Sequence, residues 1–242
     1  MSADTVEVLR VDPDLAAGID AAHLTEARRT CIATRAELPR GPWSPTTASP
    51  ATADGFGLLV LAGFLVRRVG RGDRFGAELL GPGDLLRPWQ TIGAVASAPF
   101  EPTWTVVAPA ELAVLDKVFV ARAAAYPSVA VAMVDRAMSR SRHLALTMAA
   151  VQQPRVDRRL HALLWQLADR WGRIGPEGAT LAVPLTHELL GELVAARRPS
   201  VTTALAGLAA AGQVEREGRR WLLRGGPPEE IVELLGADLP AD

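Results

Sequence analysis

One stretch constrains this chain more than any other: LTHELLGELVAARRPSVTTALAGLAAAGQVEREGRRWLL, from Leu185 to Leu223. Thr186 stands where a helix N-cap belongs, since its hydroxyl oxygen accepts from a free N–H of the first turn. Leu189, Leu190, Leu193 and Val194 share one helical face. A break at Ala195-Ala196-Arg197 follows. A second helix is predicted from Arg198, with Pro199 in its first turn, where a missing N–H does little harm. Val201, Leu205 and Leu208 make its inner face, and Gly212 fits the C′ position that ends it. Two short strands, Gln213 to Arg216 and Arg219 to Leu223, joined at Glu217-Gly218, complete the stretch.

Helix, tight turn, helix and hairpin together outline a winged helix-turn-helix. In that motif the second helix enters the major groove and presents its N-terminal residues to base edges. The residues so placed are Arg198, Pro199, Ser200, Thr202 and Thr203, with Arg197 just before them. An arginine there matches guanine O6 and N7 with two parallel hydrogen bonds. Hydroxyls at Ser200, Thr202 and Thr203 are within reach of bases or phosphates. Thr186 and His187, at the start of the first helix, are expected beside the DNA backbone. Arg216, Arg219 and Arg220 of the hairpin are placed to touch phosphate. The plainer alternative is a helical hairpin that only packs, with solvated arginines.

Charge supports the DNA reading once it is divided along the chain. The net charge is −1, but residues 155–224 hold 11 arginines against 7 acids. Residues 225–242 hold 5 acids and no base, and residues 1–154 are balanced at 15 of each sign. The basic excess falls on the helix-turn-helix segment, as an electrostatic footprint should. Cys31 is the sole cysteine, so no internal disulfide framework and no cysteine-built zinc or iron–sulfur site is expected within one subunit. It is expected to be an ordinary buried or half-buried thiol. No apolar run suggests a membrane span, and the acidic N-terminus does not read as a secretory signal. A cytoplasmic, nucleoid-associated protein is expected.

Earlier in the chain, Leu24 to Leu38 is predicted as a helix with Thr25 as a possible cap. Gly41-Pro42, Ser44-Pro45 and Ser49-Pro50 mark a loop or irregular strand edges. Residues 54–116 read as β: Gly57 to Val69, a turn at Arg71-Gly72-Asp73, Phe75 to Leu80, a turn at Gly81-Pro82-Gly83-Asp84, then Thr103 to Ala108 and Leu112 to Leu115. Pro127 to Gln152 reads as one long helix. On it Val131, Val134, Met138, Ser141, Ala145, Met148 and Gln152 alternate at spacings of three and four, a heptad seam. That seam predicts a parallel homodimer; a helix packed on its own barrel is the alternative. Arg155 to Trp171 is a further amphipathic helix with Leu160, Leu163, Leu164 and Leu167 inward, and Ala179 to Val183 a short strand.

With the wing, the heptad helix and the turn at Gly81-Pro82-Gly83-Asp84 in hand, the chain resembles the cyclic-AMP receptor protein/fumarate-nitrate regulator (Crp/Fnr) family over roughly residues 20–224. The resemblance implies an α+β chain with an N-terminal cyclic-nucleotide-binding-like β-roll, a long dimerisation helix and a C-terminal winged helix-turn-helix. The corresponding division is residues 1–126, 127–153 and 154–226, with an acidic tail at 227–242. It also implies double-stranded DNA, a second copy of the chain and RNA polymerase as partners.

The departures from the family pattern sharpen the expectation. Cyclic-AMP-binding members carry Gly-Glu after the Gly-Asp turn and Arg-Ser in a later loop, for ribose and cyclic phosphate. Here those positions read Arg87-Pro88 and Pro102-Thr103, while the helix positions that meet adenine read Leu144 and Ala145. A buried phosphate without its cation is costly, so cyclic AMP is not expected as effector and no cofactor or metal is assigned. Oxygen-sensing members use several cysteines, against one here. His23 and His143 are expected on the surface or in the core rather than as haem ligands. Some members have Glu at position 199 and Arg at position 203. This chain has Pro199 and Thr203 and keeps Arg198, so its operator should differ from theirs.

Catalysis finds no support. His187-Glu188 is followed by Gly191 where a zinc-protease helix needs its second histidine, and no GxSxG or Walker A pattern occurs. His161 is expected on a helix surface. A dimeric interaction protein that does not bind DNA is the remaining alternative, and the basic reading helix argues against it.

Overall fold

The computed structural model describes residues 4–45, 54–71, 74–88 and 102–228. These divide into two compact units that part within the long helix. The first holds the chain as far as Arg140, except Arg74–Glu78; the second holds that short segment and everything from Ser141 onward.

In the first unit, strand β1 (Thr5–Glu7), helix α1 (Val8–Val11), a 3-10 turn (Pro13–Ala16) and helix α2 (Ala21–Thr30) precede the sheet strands β2 (Ile32–Leu38) and β3 (Gly41–Trp43). Then come β4 (Gly57–Arg71), β5 (Arg74–Leu80), β6 (Leu85–Leu86), β7 (Thr103–Leu115) and helix α3 (Lys117–Ala123). The sheet runs β1-β2-β7-β4-β5, with β3 also on β7 and β6 also on β4. Alternation decides its packing. Leu58, Val60 and Leu112 enter one apolar cluster with Leu65, Leu80, Leu86, Trp104 and Val106. Their neighbours Leu59, Ala113 and Leu115 enter another, with Leu9, Phe119, Val129 and Met133. Period-two side chains thus bury both faces of the sheet.

The two longest strands, β4 and β7, lose register between Val60 and Leu65. Gly63 sits there at φ 79° and close enough to the Pro109 carbonyl that any Cβ would collide with it. Bulges of this kind bend a strand and let a proline sit within a sheet. β7 is therefore one strand through Pro109, where the sequence suggested two separate runs.

Two other expectations are corrected here. Leu24 to Leu38 is not one helix: α2 ends at Thr30, and Ile32–Leu38 becomes a strand between β1 and β7. Thr25 lies inside α2 rather than capping it. Ladder pairing on both sides outweighs local helix propensity. Of the two readings offered for Gly41-Pro42, loop or irregular strand edge, the strand is found, paired with β7. Helix α3 had no sequence forecast; the Asp116 carboxylate caps it, accepting from Val118 and Phe119 N–H at 2.9 Å each. Cys31 is buried, as expected, and burial raises its thiol pKa. The expected turns at Ser49-Pro50 and Gly72-Asp73 lie outside the described residues, as does most of the acidic tail.

The turn at Gly81-Pro82-Gly83-Asp84 forms. Its buried Asp84 accepts from Gly81 N–H at 2.8 Å, and Gly83 N–H donates to Val60 O at 2.9 Å.

Helix α4 (Pro127–Ala150) starts in the first unit. Its inner stripe begins with buried Val129 and Met133 and continues one turn at a time to Arg136 and Arg140. Arg136 donates to Asp12 at 2.7 Å and to Asp14 at 3.4 Å, and Arg140 to the Leu85 carbonyl at 3.1 Å. The opposite stripe is the heptad seam. Val131, Val134, Met138 and Met148 are 60%, 59%, 58% and 69% exposed, and Ser141, Ala145 and Gln152 are exposed beside them. The helix ends at Ala150, so Gln152 stands just beyond it.

In the second unit, α5 (Val156–Trp171) buries Leu160, Leu163, Leu164 and Leu167 as its periodicity requires. It also buries His161, which corrects the surface placement: Trp165 Nε1–H donates to His161 Nε2 at 3.1 Å. Strands β8 (Gly172–Gly175), β9 (Gly178–Leu181), β10 (Val214–Glu217) and β11 (Arg220–Arg224) form a sheet in the order β10-β11-β9-β8. The forecast strand from Ala179 to Val183 is thus β9, ending at Leu181 and paired with an unforeseen β8. Between β9 and β10 lie helices α6 (His187–Leu193) and α7 (Arg198–Ala210).

Candidate nucleic-acid interface

Helix α6 begins as its sequence dictates. The Thr186 hydroxyl accepts from Leu189 N–H at 3.1 Å. Leu189, Leu190, Leu193 and Val194 are all buried. The helix ends in an arrangement usually built on glycine: Ala196 N–H donates to Gly191 O at 2.8 Å, and Ala195 takes φ 52°. This is the long 6→1 bond of a Schellman end, with Ala195 at C′. Ala195 is the one non-glycine residue with positive φ among those described. Close approach also fixes Gly191, where a Cβ would lie 2.6 Å from the Ala196 carbonyl oxygen. The turn between the helices is therefore tight at both ends.

Helix α7 starts at Arg198 with Pro199 in its first turn, and its inner face is Val201, Leu205 and Leu208. Gly212 (φ 69°) ends it, with Gly212 N–H to Ala209 O at 2.9 Å and Gln213 N–H to Leu208 O at 3.0 Å. These are the two bonds of a complete Schellman motif. The apolar face fixes what is left outside: Arg197, Arg198, Pro199, Ser200, Thr202 and Thr203 all lie on the outward side.

Two of the hydroxyls are constrained in a way the sequence did not show. Thr202 Oγ1 donates to Arg198 O at 3.1 Å, and Thr203 Oγ1 to Pro199 O at 3.2 Å. Each hydroxyl has one hydrogen, so in this conformation both side chains face outward as acceptors and methyl groups. His187 Nδ1 lies 2.9 Å from Thr202 Oγ1. Because Thr202 gives its hydrogen to Arg198, the network assigns the imidazole hydrogen to Nδ1. His187 thereby ties the start of α6 to the start of α7 and is half-buried, while Thr186 is exposed.

The hairpin pairs Glu217 with Arg220, so its two-residue turn is Gly218-Arg219, one position later than forecast. Gly218 takes φ 59° and Arg219 has no positive φ, as in a type II′ turn, whose twist suits a hairpin. Arg219 is thereby set at the tip, and Arg216, Arg219 and Arg220 are exposed. The Arg216 guanidinium stands 5.0 Å from the buried Trp221 ring and its Nε donates to Gly218 O at 3.3 Å. Arg224 pairs with Glu215 at 2.9 Å and Glu177 at 3.5 Å, which leaves the cations at the tip as the wing's outward charge.

Sequence reasoning missed Arg159. From α5 its Nε donates to Gln153 O at 2.5 Å, and its Nη1 to Val194 O at 3.3 Å and Ala195 O at 3.4 Å. No spacing rule marks an arginine whose partners are backbone carbonyls distant in sequence.

In the first unit, Arg87 and Pro88 are half-buried after β6, and Thr103 opens β7, exposed, behind half-buried Pro102. Residues 89–101 between them lie outside the described residues. Leu144 is half-buried and Ala145 exposed on the part of α4 that belongs to the second unit. Among the described residues no three His, Cys, Asp or Glu side chains cluster to hold a metal, and no helix is long and apolar enough to cross a membrane.

The chain is thus α+β, with a cyclic-nucleotide-binding-like sheet unit, a long helix and a winged helix-turn-helix. Residues 158–224 match the model of the Crp-like helix-turn-helix domain, and the fold is similar to that of solved structures along most of the chain. It is similar to a mutant of CooA from Carboxydothermus hydrogenoformans, at 17% identity and TM-score 0.61 over 96% of each chain. It is similar to a cyclic nucleotide-binding domain containing protein from Listeria monocytogenes EGD-e, at 13% identity and TM-score 0.59, over 78% of this chain and 88% of that one. A CRP family transcriptional regulator from Thermus thermophilus matches at 20% identity and TM-score 0.51, over 86% of this chain and 100% of that one. A sequence comparison with curated proteins gives no match.

Proposed function

We propose that this protein is a homodimeric, sequence-specific DNA-binding transcriptional regulator that reads a near-palindromic operator. The observation that carries the reading is the outward face of the second unit. There the start of a Crp-like reading helix presents Arg197, Arg198, Ser200, Thr202 and Thr203, and the wing presents Arg216, Arg219 and Arg220. Arg198 is the residue for a guanine, and Arg219 and Arg220 are the residues for phosphate. With their hydrogens on helix carbonyls, Thr202 and Thr203 suit base amino groups or a thymine methyl. The heptad seam supports the dimer, because large apolar side chains left exposed along one line of a helix gain from a matching copy. Two copies related by a twofold axis set their reading helices about 34 Å apart, one turn of DNA.

The first unit acts as a sensor that does not take cyclic AMP. Pro88 stands where the family resemblance places the carboxylate for ribose, and Pro102 where it places the arginine for phosphate. Titration calorimetry should show no cyclic-AMP heat at micromolar concentrations, and micromolar binding would overturn this part. Gel shifts on genomic fragments at two salt concentrations test the whole. Selective, salt-dependent retention of a subset of fragments is expected, and retention of none would refute DNA reading.

A further inference from the structure

Arg159 joins three carbonyls from two parts of the second unit. Gln153 belongs to the segment that follows the long helix; Val194 and Ala195 belong to the turn immediately before the reading helix. Ala195 is also the residue held at φ 52°, a conformation that a Cβ makes unfavourable. A guanidinium is a rigid planar fork of donors. Anchored through Nε on Gln153, it directs Nη1 at the carbonyls of Val194 and Ala195, the C-cap and C′ residues of α6, which have no partner within the helix. The reading helix starts three residues after Ala195, so the geometry of this turn sets where Arg198 emerges.

We propose that Arg159 is a positioning residue for DNA reading: it holds the Ala195 turn in its left-handed geometry and thereby aims the N-terminus of the reading helix at base edges. It touches no DNA itself. The inference rests on the DNA-reading function proposed above and adds to it a residue outside the interface that governs specificity.

Phosphate contacts tolerate small shifts of the helix, whereas bidentate base contacts do not. Losing Arg159 should therefore lower binding to the selected operator while leaving binding to random DNA nearly unchanged. Glycine accepts positive φ without strain, so Ala195→Gly should relieve the need for the guanidinium.

The experiment uses the full chain and an operator recovered by binding-site selection with the unaltered protein. Fluorescence anisotropy measures Kd on that operator and on random duplex, for Arg159→Ala, Arg159→Lys, Ala195→Gly and Arg159→Ala combined with Ala195→Gly. Thermal melts report the folded fraction. The expected result is a fall of about tenfold in the operator-to-random ratio for Arg159→Ala, the size of losing one charge-assisted contact. The ratio should recover most of its value in the double variant and part of it in Arg159→Lys. Ala195→Gly alone should raise the melting temperature and leave the ratio as it was.

An unchanged ratio in Arg159→Ala overturns the inference, as does a double variant that regains melting temperature but not ratio. Either outcome makes Arg159 a stabiliser of the fold only. Should Arg159→Ala not fold, the Lys variant decides by the same ratio. Failure of the unaltered protein to select any sequence instead overturns the DNA-reading function itself.

Discussion

Replacing Met138 by alanine tests the dimer seam most directly. Fully burying a methionine side chain contributes about 1.5–3 kcal/mol relative to leaving it in water. Met138 is 58% exposed in the single chain. Somewhat more than half of that contribution therefore remains for a partner helix to realise, and alanine retains a little of it. The loss is about 1–1.5 kcal/mol per side chain by the same area bookkeeping. A twofold dimer loses it twice, about 2–3 kcal/mol, which is roughly a 30-fold to 150-fold rise in the dimer dissociation constant. Alanine keeps helix propensity, so α4 itself should persist. Sedimentation equilibrium over a range of concentrations measures the constant, and a thermal melt at low concentration shows whether the single chain is intact. A dissociation constant unchanged by Met138→Ala, or an unaltered protein that sediments as a monomer at micromolar concentration both alone and with DNA, would refute the reasoning.

Further outcomes follow from the reading helix, the wing and the second unit's core. Arg198→Ala should cost about 1–3 kcal/mol per half-site and flatten the preference at one guanine in each half; a selected logo that is unchanged while binding weakens uniformly would assign Arg198 to phosphate instead. Arg219→Ala and Arg220→Ala should weaken all sequences alike and each lower the salt slope by about 0.9 per contact removed, read from Kd against salt. Gly191→Ala should destabilise the second unit by about 1–3 kcal/mol through collision with the Ala196 carbonyl; a melt as stable as that of the unaltered protein would show that the turn yields. Asp157 is held below the ordinary carboxylate range by its hydrogen bond to Arg155, against partial burial that pushes the other way. Its folded value lies below the unfolded one, so its stabilisation is complete above pH about 4 and is lost as pH falls through the folded value. Asp157→Asn should flatten that acid limb in urea melts taken between about pH 5 and pH 2, and an unaltered slope there would show the pair to be inert.

What the sequence determined by itself was local chemistry with short-range partners. Thr186 as cap, Pro199 in a first turn and Gly212 at a helix end each need only neighbours a few residues away, and each is found as read. The exposed seam on α4 was equally legible, because a period of three and four needs only the helix. The tertiary structure decided everything that depends on distant pairing. Ile32–Leu38 became a strand because β1 and β7 flank it, and β7 runs through Pro109 because the bulged β4 lies beside it. His161 went inward because Trp165 supplies a partner for its ring nitrogen where the helix is covered on nearly every side. The aim of the reading helix is likewise tertiary. Ala195 carries no sequence mark of a left-handed turn, and Arg159 carries none of its partners. Backbone carbonyls from Gln153, Val194 and Ala195 look alike in any sequence, and only the folded chain brings them to one guanidinium.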